Sequence, residues 1–537
     1  MKKIKLLDCT LRDGGFVNEW DFGQKSVLNI FSRLNAGGID IIELGFINNT
    51  YSFDIGRTIM PHTKYLKEIF KLKPNPGTKL VAMVIMGEAD LENIGPKSDT
   101  PIDGLRIVFK KSGIKEAFEF AKGCRDKGYS IFFQPASITD YSEAEMIELI
   151  KLANIFRPEA FYIVDTYGLL DKELLFFYLD IIDKHLGDNI SLGYHSHNNY
   201  QLSYASAIDF IEKKKKHDII IDCTLFGMGK GTGNLNTELI VDYLTKKHGF
   251  KYDNSQILEA VDSEILQIRK NYVWGYSLNG FIAASNNCHP SYVQYLLDKK
   301  ALSVKSINKV LSNIESNKRT NFNKMLIEKL YLDYQSVDID DGKNIEKLKE
   351  VFKNKKILIL SPGLSLNKYY KNIQKFIAEN HPVVITVNHL PDDFKIDFCF
   401  INNSKRFSQM AVFLNDNHDF KIIALSNILQ SYRHIDYEIN YSKSLVSGDA
   451  DVVSENATLM LFKLLIRCQV KDISIAGFDG FKNSGNNYVN KYLTYNKNKD
   501  IKKQNELIAE SLKSFEKQIN LSFLTPSLYT NADKTII

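Results

Sequence analysis

The chain has 537 residues, 44% of them hydrophobic and 25% charged, close to soluble globular averages, so it can bury sizeable cores and is not disordered throughout. Lys and Arg number 69 against 64 Asp and Glu, and a net +5 over this length provides no basic stripe for a nucleic-acid partner. Six scattered cysteines with no CxxC pair, an N-terminus too polar for a signal peptide and no run of roughly 18 apolar residues exclude a disulfide scaffold, a zinc finger and a membrane span; a cytoplasmic location is expected.

From the N-terminus, eight short β-branched or aromatic runs alternate with stretches of helical periodicity: Ile4 to Leu11, Ile39 to Phe46, Leu80 to Ile85, Leu105 to Phe109, Tyr129 to Gln134, Phe161 to Asp165, Ile190 to His195 and Ile219 to Leu225. The runs are mostly apolar on both faces, as parallel strands under helices require, and eight repeats predict a (β/α)8 TIM barrel over residues 1–245. The lysine run Lys213 to Lys216 reads as a solvated helix end.

Active sites of this fold lie at the carboxyl ends of the strands. The unusual polar residues fall there: Arg12-Asp13-Gly14-Gly15, Glu43, Gln134, Asp165, His195-Ser196-His197 and the loop Gly227 to Asn234. Each has a plainer reading. Two histidines at i, i+2 can both be surface residues, Asp13 can cap a helix, and the glycines can serve only a tight turn. Their convergence on one rim points instead to a metal held by Asp13, His195 and His197, with Asn234 beside them. One carboxylate and two imidazoles with open positions suit manganese first, with magnesium, cobalt and zinc as alternatives, and leave room for a bidentate 2-oxo acid. Arg12 is placed to donate to an oxyanion formed there.

Leu7-Asp8-Cys9-Thr10-Leu11-Arg12-Asp13-Gly14, His195-Ser196-His197 and the glycine loop together resemble the metal-dependent aldolase and lyase barrels that include 4-hydroxy-2-oxovalerate aldolase, hydroxymethylglutaryl-CoA lyase and isopropylmalate synthase. The aldolase branch is nearer, because Lys230-Gly231 stands where the synthase branch commonly shows Glu-Arg. The resemblance implies metal ligation by Asp13, His195 and His197, Asn234 as a further or supporting ligand, Arg12 as enolate stabiliser, and pyruvate plus an aldehyde as reactants. A Claisen-type acyl-CoA reaction and a binding module without turnover are the alternatives. One position departs from the pattern: where these aldolases carry a proton-transferring histidine, this chain has Phe16, which leaves metal-bound hydroxide, Glu43, Tyr167 and His289 as the candidates for that role.

Residues 246–337 are patterned as helices that cover the barrel or form an oligomer contact, and a homo-oligomer is expected. The aromatic and amide-rich stretch from Tyr272 to Tyr292 either packs His289 and Tyr292 in a helical interface or, as similar aldolases do with such a C-terminal segment, brings one of them to the barrel mouth. The acidic stretch Ser336 to Lys343 reads as a linker into a doubly wound, Rossmann-like domain over 338–537, with strands at Lys356 to Leu360, Val383 to Val387, Phe398 to Ile401, Ile422 to Leu425 and Ile473 to Ala476. Ile359 to Ser365, Asn388, Ile401-Asn402-Asn403, Ser447-Gly448 and Ile475 to Asp479 resemble bacterial sialyltransferases and a glycosyltransferase-like family of flagellar and surface-glycan modification. That resemblance implies a nucleotide or nucleotide sugar at Ser361, Gly363, Asn388, Asn402, Gly477 and Asp479, and a role in surface-polysaccharide biosynthesis. Asn483 to Lys499 lacks periodicity and reads as a mobile loop.

Overall fold

The computed structural model describes residues 3–213, 215–414, 419–428, 435–482, 486–490 and 500–530. Of the stretch Asn483 to Lys499, only 486–490 fall within the described residues. The chain divides into two compact units, Met1–Pro290 with Asn317–Phe322, and Ser291–Ser316 with Asn323–Ile537.

In the first unit the strands are β1 (Ile4–Asp8), β2 (Ile41–Ile47), β3 (Ile59–Met60), β4 (Lys79–Ile85), β5 (Gly104–Phe109), β6 (Ser130–Pro135), β7 (Ala160–Asp165), β8 (Ser191–Ser196) and β9 (Ile219–Cys223). Eight of them form a closed parallel barrel in the order β1-β9-β8-β7-β6-β5-β4-β2, with β1 pairing back onto β2 and the two-residue β3 added outside on β2. Each of the eight runs read from the sequence is one of these barrel strands. The first and last are shorter than expected, ending at Asp8 and Cys223 instead of Leu11 and Leu225. The cause is local: the Asp8 carboxylate accepts from the Thr10 backbone N–H (2.9 Å), which turns the chain, and Thr10 Oγ1 accepts from the backbone N–H of Leu225 (2.8 Å).

Helices cover the barrel because their apolar stripes match the outer faces of the strands. In Glu143–Phe156, Ser142 and Glu145 close a capping box, and Met146, Leu149, Ile150 and Ala153 are buried. At the C-terminus of Ser203–Glu212, Lys215 donates to the carbonyl oxygens of Ile211 (3.3 Å) and Lys213 (2.7 Å). Inside the barrel, Leu7, Ile41, Phe132, Tyr162 and Ile220 share one apolar cluster. Strand alternation then puts the residues two further along, Cys9, Glu43, Gln134, Val164 and Asp222, on the same inner face, one layer nearer the carboxyl ends.

The second unit carries β10 (Ile357–Leu360), β11 (Val383–Val387), β12 (Phe398–Ile401), β13 (Lys421–Leu425), β14 (Tyr437–Ile439), β15 (Asp472–Ala476) and β16 (Asn520–Phe523) in an all-parallel sheet of order β14-β13-β12-β11-β10-β15-β16. The order reverses between β10 and β15, which opens a crevice at their carboxyl ends. All five strands expected here are present. The two not anticipated, β14 and β16, are the edges of the sheet, only three and four residues long. Within the stretch read as a linker, Asp341 is buried, accepts from Arg467 (2.6 Å) and anchors the helix Gly342–Phe352. Among the described residues no helix is long and apolar enough to cross a membrane.

Candidate metal centre

β1 runs into a single π-helical turn, Thr10–Gly14, that carries Arg12 and Asp13 at the barrel mouth. The Asp13 backbone N–H bonds the Cys9 carbonyl (2.7 Å), and Trp20 Nε1 donates to the Arg12 carbonyl (2.8 Å), fixing the turn. On the side chains, Arg12 Nη1 meets Asp13 Oδ2 (2.6 Å) and Arg12 Nε meets Glu43 Oε2 (2.8 Å). Burial opposes ionisation of Asp13, but Arg12 and then the hydrogen bond from His195 outweigh it and hold this carboxylate well below its usual range.

His195 lies next to the end of β8, with Nδ1 on Asp222 Oδ2 (2.9 Å) and Nε2 3.3 Å from Asp13 Oδ2. His197 sits just beyond, its Nδ1 on the Asp165 carbonyl (2.9 Å), which leaves Nε2 for a ligand. Burial, helped by the neighbouring charge of His195, lowers His197 to about 4, so it is a neutral imidazole at physiological pH. Ligand atoms of Asp13, His195 and His197 lie within 4.8 Å of one another. Asn234 is bridged to His197 across the loop, and its Oδ1 is buried with no protein partner. An orphaned carbonyl oxygen beside a carboxylate and two imidazoles fits a divalent cation. Cys9 also lies close to His195 and Asp222, but burial keeps its thiol protonated.

The glycine loop serves this arrangement by close approach. A Cβ on Gly229 would fall 2.1 Å from Asn234 Nδ2 and 3.1 Å from Asp13 Oδ1, and Gly233, at φ +77°, would push one to 2.1 Å from the Gly227 carbonyl.

Two charged residues that the sequence reading passed over complete the inner layer. Arg106, on β5, donates through Nη1 to Glu43 (2.9 Å) and through Nη2 to Asp222. Gln134, with its amide turned toward the guanidinium, accepts from Arg106 Nε (3.1 Å) and Nη2 (2.8 Å). The available signal was a lone charge inside an apolar run: Arg106 within Leu105 to Phe109 and Asp222 within Ile219 to Cys223.

The structure thus joins Arg12, Asp13, Glu43, His195, His197 and Asn234 in one set. Tyr167 and His289 form a second group at the mouth, their rings 5.5 Å apart, with Tyr167 donating to the Thr320 carbonyl (2.6 Å). Burial, then the charges of Lys230 and Lys110, lower His289 to about 4. Lys230 links the groups: its backbone N–H is 3.4 Å from Asp13 Oδ1, and its ammonium lies over the Phe16 ring (5.3 Å). Tyr292 is buried in the second unit, where its hydroxyl accepts from the Asn323 N–H (3.1 Å).

In the second unit the six expected nucleotide contacts fall into two groups. Ser361, Gly363, Gly477 and Asp479 lie together at the β10/β15 crevice, where the Gly363 N–H bonds the Gly477 carbonyl (2.9 Å). Asp479 accepts from the Ser365 N–H (2.8 Å) and hydroxyl, so a protein carboxylate already takes that amide. Asn388 and Asn402 pair with each other at the ends of β11 and β12 (2.9 Å).

The HMGL-like family model matches residues 3–263. The oxaloacetate decarboxylase of Mycobacterium tuberculosis is 25% identical over 264 residues, covering 49% of this chain and 76% of that protein. The 4-hydroxy-2-oxovalerate aldolase of Geobacillus genomosp. 3 is 25% identical over 272 residues, 48% of this chain and 76% of the relative. Among solved structures, the HMG-CoA lyase of Brucella melitensis covers 50% of this chain and 100% of its own at 15% identity and a TM-score of 0.41. The first half of the chain is therefore a closed parallel (β/α)8 barrel that matches the HMGL-like family model and is similar to an oxaloacetate decarboxylase and a 4-hydroxy-2-oxovalerate aldolase.

Proposed function

We propose that the barrel is a divalent-metal-dependent carbon–carbon lyase that makes or breaks a bond next to a 2-oxo acid through the pyruvate enolate, in the manner of a 4-hydroxy-2-oxovalerate aldolase. The observation that carries this reading is the set of Asp13 and His195, both buried, and half-buried His197, with Arg12 alongside. A divalent cation bound there, manganese first, supplies Lewis-acid polarisation of the 2-oxo acid carbonyl. Arg12 spends Nε on Glu43 and Nη1 on Asp13, and its buried Nη2 has no protein partner, so it can donate to the enolate oxygen as charge develops.

Proton transfer to or from the aldol hydroxyl falls to His289 in this reading. Phe16 has no proton to move, Glu43 is held between two guanidinium groups, and Tyr167 donates its hydroxyl to Thr320. His289 is neutral at physiological pH and is grouped with Tyr167 and Lys230 at the mouth.

The test needs no knowledge of the acceptor aldehyde. With manganese and no CoA, the protein is expected to exchange the methyl protons of pyruvate for deuterium, followed by NMR. Exchange that demands an acyl-CoA would favour a Claisen-type reaction. Pyruvate binding without exchange would make the barrel a binding module.

The reversal between β10 and β15 supports a nucleotide or nucleotide sugar as ligand of the second unit. Millimolar CMP-, UDP- or GDP-sugars are then expected to raise the melting temperature of the full chain, and silence across all three would count against the idea.

A further inference from the structure

The pairwise contacts of the inner layer close on themselves. From Asp13 they run to Arg12 (2.6 Å), Glu43 (2.8 Å), Arg106 (2.9 Å), Asp222, His195 (2.9 Å) and back to Asp13 (3.3 Å). Acidic and basic side chains alternate around this ring, and none is more than 4% exposed. Arg106 lies across the ring from Asp13 and touches neither metal-ligand candidate nor the mouth.

Stability alone is a poor reason for such a ring. Taking this many charges out of water carries a desolvation cost, and apolar side chains of similar volume fill a core at least as well. Geometry supplies a better one. Arg106 uses a different nitrogen for each carboxylate, Nη1 for Glu43 and Nη2 for Asp222, with Gln134 on Nε and Nη2 and the Tyr162 ring 5.0 Å from the guanidinium carbon. A planar fork with fixed N–H directions therefore sets two carboxylates at once, which a single ammonium cannot do. Each carboxylate then orients one working side chain: Glu43 holds Arg12 by Nε, and Asp222 holds His195 by Nδ1 and turns Nε2 toward Asp13.

We propose that Arg106 is a positioning residue that couples the two arms of the site, setting Arg12 through Glu43 and the metal-facing nitrogen of His195 through Asp222. The proposal rests on the metal reading given above. Its test is manganese affinity of the 537-residue chain, read from the free-ion EPR signal. Arg106→Lys keeps the charge and loses the fork, and Asp222→Asn keeps the shape and loses the charge. Each is expected to weaken manganese by about 10–100-fold, the range seen when a ligand's supporting partner is lost. The double variant should lose less than the product of the two, because Arg106 reaches His195 by way of Asp222. The visible spectrum of the cobalt(II) form should change in Arg106→Lys while far-UV circular dichroism does not, a combination that a purely structural role would not produce. Parental affinity in Arg106→Lys, or losses that multiply in the double variant, would overturn the proposal. If Arg106→Lys does not fold, Asp222→Asn decides alone, and parental affinity there overturns it. A parent chain that binds no manganese would sink the metal reading instead.

Discussion

Manganese binding is expected to fall by more than about 100-fold when His195 is replaced with alanine, beyond the 10–100-fold typical of losing a side chain that only supports a ligand. His195 is one of the three proposed ligand side chains, and its removal also leaves the buried carboxylates of Asp222 and Asp13 facing a gap. The pH dependence of the parent gives an independent check. Burial works against the charged imidazole, but hydrogen bonds to Asp13 and Asp222 prevail and raise His195 above its usual 6.5. Because the folded value exceeds the unfolded one, the stability this proton brings is fully present below the unfolded value and fades as pH rises through the folded value. Metal binding requires the proton to leave, so affinity runs the other way, rising with pH across the same window and then levelling. Titration calorimetry at stepped pH should show that slope in the parent. Unchanged affinity in His195→Ala would remove Asp13, His195 and His197 as the site.

The barrel was legible because each strand is a dense apolar run set off by polar turns, and the rim was legible because polar residues cluster where those runs stop. Arg12, Asp13, His195 and His197 all fall at such ends. Arg106 and Asp222 escaped because they lie within the runs, where a charge looks like noise until a strand elsewhere in the barrel supplies its partner. That partner is remote in the chain: 116 residues separate Arg106 from Asp222, and 63 separate it from Glu43. β14 and β16 escaped for a different reason. Edge strands of three or four residues, with a partly exposed face, carry too short a pattern to stand out from loop. Asp341 shows the converse error, since an acidic, glycine-containing stretch has the composition of a linker, yet Arg467 makes one of its carboxylates part of a packed unit.

Arg12→Gln should separate turnover from metal loading. Its guanidinium is firmly charged: burial opposes ionisation, but Glu43 and then Asp13 more than offset it. With two of its nitrogens committed to those carboxylates and Nη2 buried without a protein partner, the donor facing a developing enolate is preorganised and needs no rearrangement during reaction. Removing one such donor typically costs about 10²–10³ in kcat, or ~2.7–4 kcal/mol, and that is the loss expected for pyruvate proton exchange in Arg12→Gln. Arg12→Lys should not restore the rate, because one ammonium cannot span Glu43, Asp13 and the oxyanion. Manganese affinity should fall far less than in His195→Ala, since all three proposed ligand side chains remain. Rate and metal therefore disappear together in the histidine variant and come apart in the arginine one. An Arg12→Gln protein that exchanges pyruvate protons at the parental rate would leave the enolate without its proposed stabiliser, while a matched collapse of metal affinity would recast Arg12 as part of the metal-holding frame.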